Sequence, residues 1–199
     1  MSRRLGNLLG DRWKKQAVER TLPVSYYTNQ NVRPRIQTIG DDTLALEIER
    51  KFLVLNEFLP SLENGQSIVQ GYLSETPSIR YRILDEAIVI TIKEYNKDGS
   101  RFEFETLNSK SSDEEQSTLK RLSLVPLIEK IRYRVPFEGL TWEIDVYQED
   151  NRGLITVDVE LPEIGYPLSF PKWVNTQREI THDPEFSNIN LGRRPYSTW

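Results

Sequence analysis

Charged side chains recur at every second position along several short stretches of this 199-residue chain: Glu47, Glu49 and Lys51; Arg80 and Arg82; Lys93; Arg101, Glu103 and Glu105; Lys130, Arg132 and Arg134; Glu143 and Asp145; Asp158 and Glu160. Alternation by two places side chains on one face of an extended strand, so each group would point the same way. Converging carboxylates repel unless a cation joins them, and converging Arg and Lys side chains repel unless an anion does. The chemistry these residues invite is therefore a polyphosphate held against a divalent metal. The rest of the composition narrows it further. With one histidine, His182, and no cysteine, multi-histidine metal centres, thiolate zinc sites and cysteine nucleophiles are excluded. A Ser-His-Asp relay would have to run through His182, which lies outside the charged stretches and reads as a surface loop residue. Any metal must be a hard cation held by oxygen, such as magnesium, manganese or calcium.

The elements that would position these groups are strands. Leu46–Val54, Ser67–Leu73, Ser78–Leu84, Ala87–Glu94, Ser100–Leu107, Glu129–Pro136, Leu140–Gln148 and Leu154–Leu161 all alternate with a period of two. Short connections such as Asp85-Glu86, Asp98-Gly99 and Glu138-Gly139 favour antiparallel hairpins. One helix is expected between Ser109 and Leu127, where Ser112 and Glu115 form a capping box and Leu119 with Leu122 an apolar stripe. After the eighth strand, Pro162, Pro167 and Pro171 mark a loop, and Asp183-Pro184 opens a short helical turn.

The faces opposite the charges carry Phe52, Ile79, Tyr81, Ile83, Trp142, Ile144, Val157 and Val159, an apolar surface that needs covering. A one-sided antiparallel sheet with its charges in water is the ordinary reading of such a pattern. Here acids gather on the first, seventh and eighth strands and bases on the third, fourth and sixth, which favours an enclosed charged interior. The expected fold is mainly β (α+β): a closed eight-stranded antiparallel barrel, wide enough for one small ligand, with a few helices packed outside.

Two regions divide the chain: a basic N-terminal extension over residues 1–43 and a strand-rich domain over 44–199. The first 40 residues hold eight bases and two acids (+6), the remainder 18 bases and 28 acids (−10), which sum to the net charge of −4. Leu5, Leu8, Leu9 and Trp13 fall near helical spacing among those bases. A solvating tail, an arm that docks a partner or a second copy, and an organellar targeting segment are the readings open for this extension. No stretch reaches the roughly 18 apolar residues of a membrane helix, and the absence of cysteine suits a reduced compartment, so the expected location is the cytoplasm.

Glu47-Ile-Glu-Arg-Lys51 resembles the Glu-x-Glu-x-Lys signature of the CYTH superfamily, the triphosphate tunnel metalloenzymes. Further matches follow in order: Gln70-Gly-Tyr-Leu73, Arg80-x-Arg82, Thr91-Ile-Lys93, Arg101-x-Glu-x-Glu105, Glu129-Lys-Ile-Arg-Tyr133, Trp142-Glu-Ile-Asp-Val146, Asp158-Val-Glu-Leu161 and Asp183-Pro-x-x-Ser-Asn188, together covering about residues 46–196. The resemblance implies metal-dependent hydrolysis of a triphosphate, inorganic tripolyphosphate above all, without nucleic acid as a partner. It assigns phosphate binding to Arg80, Arg82, Lys93, Lys130 and Arg132, extended by Arg101, and a Mg2+ or Mn2+ ion to Glu47, Glu49, Asp158 and Glu160. Asp158 stands where the family usually has Glu, one methylene longer. Glu105, Glu143 and Asp145 either complete the acidic side or hold the bases in place. Lys51 either orients carboxylates or phosphate or transfers a proton, and with Glu47 and Glu49 it forms the expected catalytic set. An adenylate cyclase of the same superfamily and a non-catalytic polyphosphate-binding module are the alternatives the residues leave open.

Overall fold

The computed structural model describes residues 48–95, 101–163 and 165–199, with the backbone alone described at 94, 95 and 101–103. Glu47, the extension over residues 1–43 and the Arg101 side chain therefore lie outside the described residues. Strands β1 (Ile48–Val54), β2 (Gln66–Glu75), β3 (Ser78–Leu84), β4 (Ala87–Tyr95), β5 (Arg101–Asn108), β6 (Ile128–Phe137), β7 (Leu140–Tyr147), β8 (Ile155–Leu161) and β9 (Val174–Glu179) are joined by helices α1 (Asp113–Leu122) and α2 (Asn188–Arg193). They form one antiparallel sheet in the order β5-β4-β3-β2-β6-β7-β8-β1-β9. Tight turns explain the hairpins: Glu138 and Gly139, at φ 47° and 78°, supply the two positive angles that a two-residue turn of matching twist needs between β6 and β7.

Two expectations change. The sheet has nine strands rather than eight, and among the described residues no ladder joins its edges, β5 and β9, so the closed barrel gives way to an open, curled sheet. The ninth strand escaped the alternation test because Val174-Asn-Thr-Gln-Arg-Glu179 carries only one buried side chain, Val174. Backbone pairing to the open side of β1 makes it a strand, with Phe52 opposite Glu179 and Val54 opposite Val174.

The apolar cover also differs from expectation. On the convex face Phe52, Trp142, Ile144, Val157 and Val159 are at most 1 % exposed, each contributing about 2 kcal/mol by burial. Loops cover them rather than helices: Leu59 and Leu62 follow β1, and Leu168, Phe170 and Trp173 precede β9. Phe170 meets Phe52 edge-on at 5.5 Å and Trp173 meets Trp142 at 5.8 Å, arrangements that aromatic quadrupoles favour. Helix α1, capped at both halves of the Ser112/Glu115 box, does pack outside, with Leu119 beside Tyr81, Ile83 and Ile88. Helix α2 lies on the concave side instead, where Leu191 and Phe186 pack against Ile128 and Tyr147. Those two aromatic and aliphatic positions share strand faces with Lys130 and Asp145, so α2 closes one end of the charged hollow. Among the described residues no helix is long and apolar enough to cross a membrane.

The glycine of Gln70-Gly-Tyr-Leu73 has a packing reason. A Cβ at Gly71 would stand 2.2 Å from Tyr81 Oη, so the buried Tyr81 ring passes across β2 only over a residue with no side chain.

Candidate functional site

Seven of the nine strands contribute to one cavity of about 620 Å³ on the concave face. Glu49 and Lys51 come from β1, Arg80 and Arg82 from β3, Lys93 from β4, Lys130 and Arg132 from β6, Glu143 from β7, and Asp158 and Glu160 from β8. Strand register explains the gathering. Glu49 lies opposite Glu160 and Lys51 opposite Asp158 on the β1–β8 ladder; Arg132 lies opposite Asp145 and Glu143 opposite Asp158 across β6–β7–β8.

The bases are fixed in two different ways. Arg132 is clamped: its Nε and Nη2 each donate to Asp145 at 2.7 Å, Nη1 donates to Glu143, and Nη2 also lies 3.4 Å from Asp158. Burial pulls its pKa down, but Asp145, Glu143 and Asp158 overcome that and raise it. Lys130, buried beside the fully enclosed Asp145, has its pKa pushed down to about 8, first by burial and then by Arg132 and Lys51, against the upward pull of Asp145. Asp145 is held well below the usual carboxylate range: burial would raise it, but Lys130, Arg132 and Lys51 prevail.

Arg80 and Arg82 are held less fully. Arg82 Nη2 contacts Glu105 at 3.1 Å, and Glu105 also accepts from Thr91 at 3.0 Å. Yet Nε of Arg80 and Nε of Arg82 are buried without a hydrogen-bond partner among the described residues. Buried unmatched donors are costly unless a ligand completes them. Burial, then the neighbouring charge of Arg80, lowers the Arg82 pKa, so this wall carries excess positive charge. Lys93 also faces the cavity.

Across the hollow the excess is negative. Glu49 reaches solvent through the cavity yet is hemmed in by protein; burial first and Asp158 next raise its pKa, against Lys51 and Arg132. Lys51 lies 3.2 Å from Asp158. Burial would lower its pKa, but Asp158, Tyr147, Asp145 and Glu49 raise it, so it stays a cation at any ordinary pH. Among the described residues no three carboxylates converge tightly enough to cage a metal ion unaided.

Geometry thus sorts the expected residues. Glu49, Lys51, Arg80, Arg82, Lys93, Lys130, Arg132, Asp158 and Glu160 share one cavity, while Glu105, Glu143 and Asp145 stand as counter-ions to its bases. Arg134 sits at the rim, 53 % exposed and 3.0 Å from Glu143, and His182 is exposed. Charge leaves the uncharged partners unmarked in the sequence. Gln70 and Tyr72, buried and 2.8 Å apart, line the cavity beside Arg82 and Arg80; Thr181, Ser187 and Asn188 line its closed end. Position parity on β2 would have found the first two.

No protein-family model matches the chain. Over 155 residues it is 36 % identical to the inorganic triphosphatase of Acetivibrio thermocellus, covering 77 % of this chain and 97 % of that protein. A solved structure of the inorganic triphosphatase NE1496 shares the fold, at 24 % identity and a TM-score of 0.54, covering 76 % of this chain and 97 % of that one. A relative so similar over nearly its whole length, with Glu49 and Lys51 of the signature in one cavity, shows that the chain belongs to the CYTH superfamily, in the family of the inorganic triphosphatases.

Proposed function

We propose that the protein hydrolyses inorganic tripolyphosphate to pyrophosphate and phosphate in this cavity with the help of Mg2+ or Mn2+. The observation that carries the reading is the paired imbalance of the hollow: buried guanidinium donors without partners on one wall, mutually repelling carboxyls on the other. A polyanion relieves the first and a cation the second. The relative of shared length, an inorganic triphosphatase, supports this choice of substrate over a cyclase reaction.

The donor set fits a hard cation in kind. Glu49, Asp158 and Glu160 offer oxygen ligands, to which the family resemblance adds Glu47, and the incomplete cage of the three suits magnesium, which keeps water and binds through one or two carboxylates plus substrate phosphates. Bound there, the ion would withdraw negative charge from the phosphate oxygens. The chain's own groups do the rest. Arg80, Arg82 and Arg132 grip phosphate oxygens in forked pairs, and Lys93 and Lys130 add point charges that stabilise the leaving pyrophosphate. Lys51 keeps its proton and anchors the Asp158 carboxyl from 3.2 Å, a positioning role rather than proton transfer. Glu49, its pKa raised, is suited to accept a proton from the attacking water. Water adds to the terminal phosphorus, the P–O bond to pyrophosphate breaks, and the displaced oxygen keeps the electron pair.

The test is an incubation of purified protein with tripolyphosphate, ATP or thiamine triphosphate, each with Mg2+, Mn2+ or excess EDTA. Phosphate and pyrophosphate are expected in equal amounts from tripolyphosphate, with loss of turnover in EDTA and recovery on adding metal. Turnover that persists in EDTA would sink the metal assignment, and cyclic AMP from ATP would favour the cyclase.

A pH dependence follows from Lys130. Its ammonium is present below about pH 8 and lost above, so KM for tripolyphosphate is expected to rise as pH climbs through that value. Lys130→Met should start with a high KM and show no such rise; a wild-type KM flat from pH 7 to 9.5 counts against Lys130 as a phosphate contact.

A further inference from the structure

We infer that Trp199 is a positioning residue for the cavity's closed end, acting through Phe186. The inference rests on the proposed triphosphate site for its kinetic consequence but on contacts alone for its structural one. Phe186, Ser187 and Asn188 line the cavity, yet they belong to a short 3-10 turn (Pro184–Phe186) and the first turn of a six-residue helix. So short a segment has little stability of its own; Ile128 and Tyr147 hold it from the sheet side, and its outer side needs a second hold.

Trp199 supplies that hold. Its ring meets Phe186 edge-on at 5.0 Å and Tyr196 at 5.1 Å, while its Nε1 donates to Arg194 O at 3.1 Å. The Arg194 guanidinium lies 5.7 Å from the Trp199 ring and reaches Glu185, next to Phe186, at 2.7 Å. Four residues thus close a loop: Phe186, Trp199, Arg194 and Glu185. Buried Asn151, in the turn before β8, anchors that loop to the sheet by accepting from Tyr196 N at 2.9 Å.

From Phe186 the constraint passes into the site. Asn188 accepts from Tyr147 Oη at 2.9 Å, and the Tyr147 ring lies 5.5 Å from Lys130 Nζ. Misplacement of a binding wall by an ångström or less is enough to weaken substrate contacts strongly. Trp199 lies on the solvent side of Phe186: it is 41 % exposed, Phe186 only 5 %.

The experiment compares full-length wild type, Trp199→Ala and Trp199→Phe by amide hydrogen exchange over residues 183–191 and by kinetics with tripolyphosphate. In Trp199→Ala the Ser187 and Leu191 amides are expected to exchange about tenfold faster, KM to rise about tenfold and kcat to stay within about twofold. Trp199→Phe, which keeps a ring against Phe186, should recover most of both effects. Unchanged exchange in Trp199→Ala overturns the inference, as does faster exchange with an unchanged KM, faster exchange spread evenly over the sheet, or a Phe variant no better than Ala. Failure of wild type to turn over tripolyphosphate would instead overturn the hydrolytic reading, and the exchange comparison would still decide whether Trp199 holds the wall.

Discussion

Glu49→Gln is expected to lower kcat for tripolyphosphate by about a hundredfold or more, the several kcal/mol that a lost metal ligand and proton acceptor together command, without lowering the melting temperature. The two halves of this expectation have one cause. Burial and the neighbouring Asp158 raise the Glu49 pKa, so the folded protein binds its proton more tightly than the unfolded chain does. The resulting linkage makes stability fall as pH rises from the unfolded carboxyl pKa through the raised folded one. At neutral pH the ionised Glu49 is therefore a cost to the fold, and a neutral amide of the same shape removes it. Activity and stability should move in opposite directions, which a residue kept for structure would not show. Steady-state kinetics with saturating Mg2+ and a thermal melt in EDTA check both. Turnover within tenfold of wild type, or a melting temperature several degrees lower, would count against Glu49 as the reactive carboxyl.

Much of this site could be read from the chain because β-strands convert parity into direction. Arg80 and Arg82, Lys130 and Arg132, Asp158 and Glu160 each differ by two positions, and the sheet places each pair on the same concave wall. Charge made them conspicuous. Gln70 and Tyr72 obey the same parity and stand in the same wall, but nothing in their chemistry marks a lumen position apart from a core one. The global closure was less legible for a different reason. Alternation reports which face a strand buries, and says nothing about whether the last strand pairs with the first. The β9 pairing rests on backbone groups and an Arg50–Glu179 ion pair, and its largely exposed side chains left no apolar mark. Helix α2 was misplaced for a related reason: an apolar stripe shows that a helix is covered, but the surface that covers it here, Ile128 and Tyr147, lies on strand faces otherwise devoted to charge.

Counter-ions show what composition alone leaves open. The acids of β7 look in sequence like the acids of β8, yet Asp145 is fully buried beneath Lys130 and Arg132 while Glu160 opens to the cavity. Asp145 pairs with Thr156, four residues along β8 from Glu160, and that distance separates a group that holds a base from one that can meet a ligand. The charge of Lys51 is likewise set by its surroundings rather than its type: carboxylates and a phenol around a buried ammonium make the proton hard to remove.

Asp145→Asn is expected to cost the fold about 3–5 kcal/mol, the usual loss when one member of a buried ion pair is removed and the other charge remains. For a domain of this size that is a fall of about 6–20 °C in melting temperature. The geometry makes the site unforgiving. Asp145 has no solvent exposure, takes two hydrogen bonds from Arg132 and pairs with Lys130, itself only 3 % exposed. An amide presents N–H to cations that already present N–H, at a position closed to solvent. The pH dependence has a definite sign: because the folded Asp145 pKa is depressed, its contribution is complete above the unfolded carboxyl pKa, near 4, and drains away only as pH falls below it. Wild type should therefore lose stability in acid more steeply than Asp145→Asn, the two melting curves approaching each other as pH drops. A second variant separates the pair from the pocket. Lys130→Met/Asp145→Leu replaces both charges with apolar groups and should regain much of the loss, while tripolyphosphate binding stays impaired because Lys130 is gone and Arg132 has lost its bidentate partner. A melting temperature for Asp145→Asn within about 2 °C of wild type would show that the buried pair contributes little, and that Arg132 keeps its place through Glu143 and Asp158 alone.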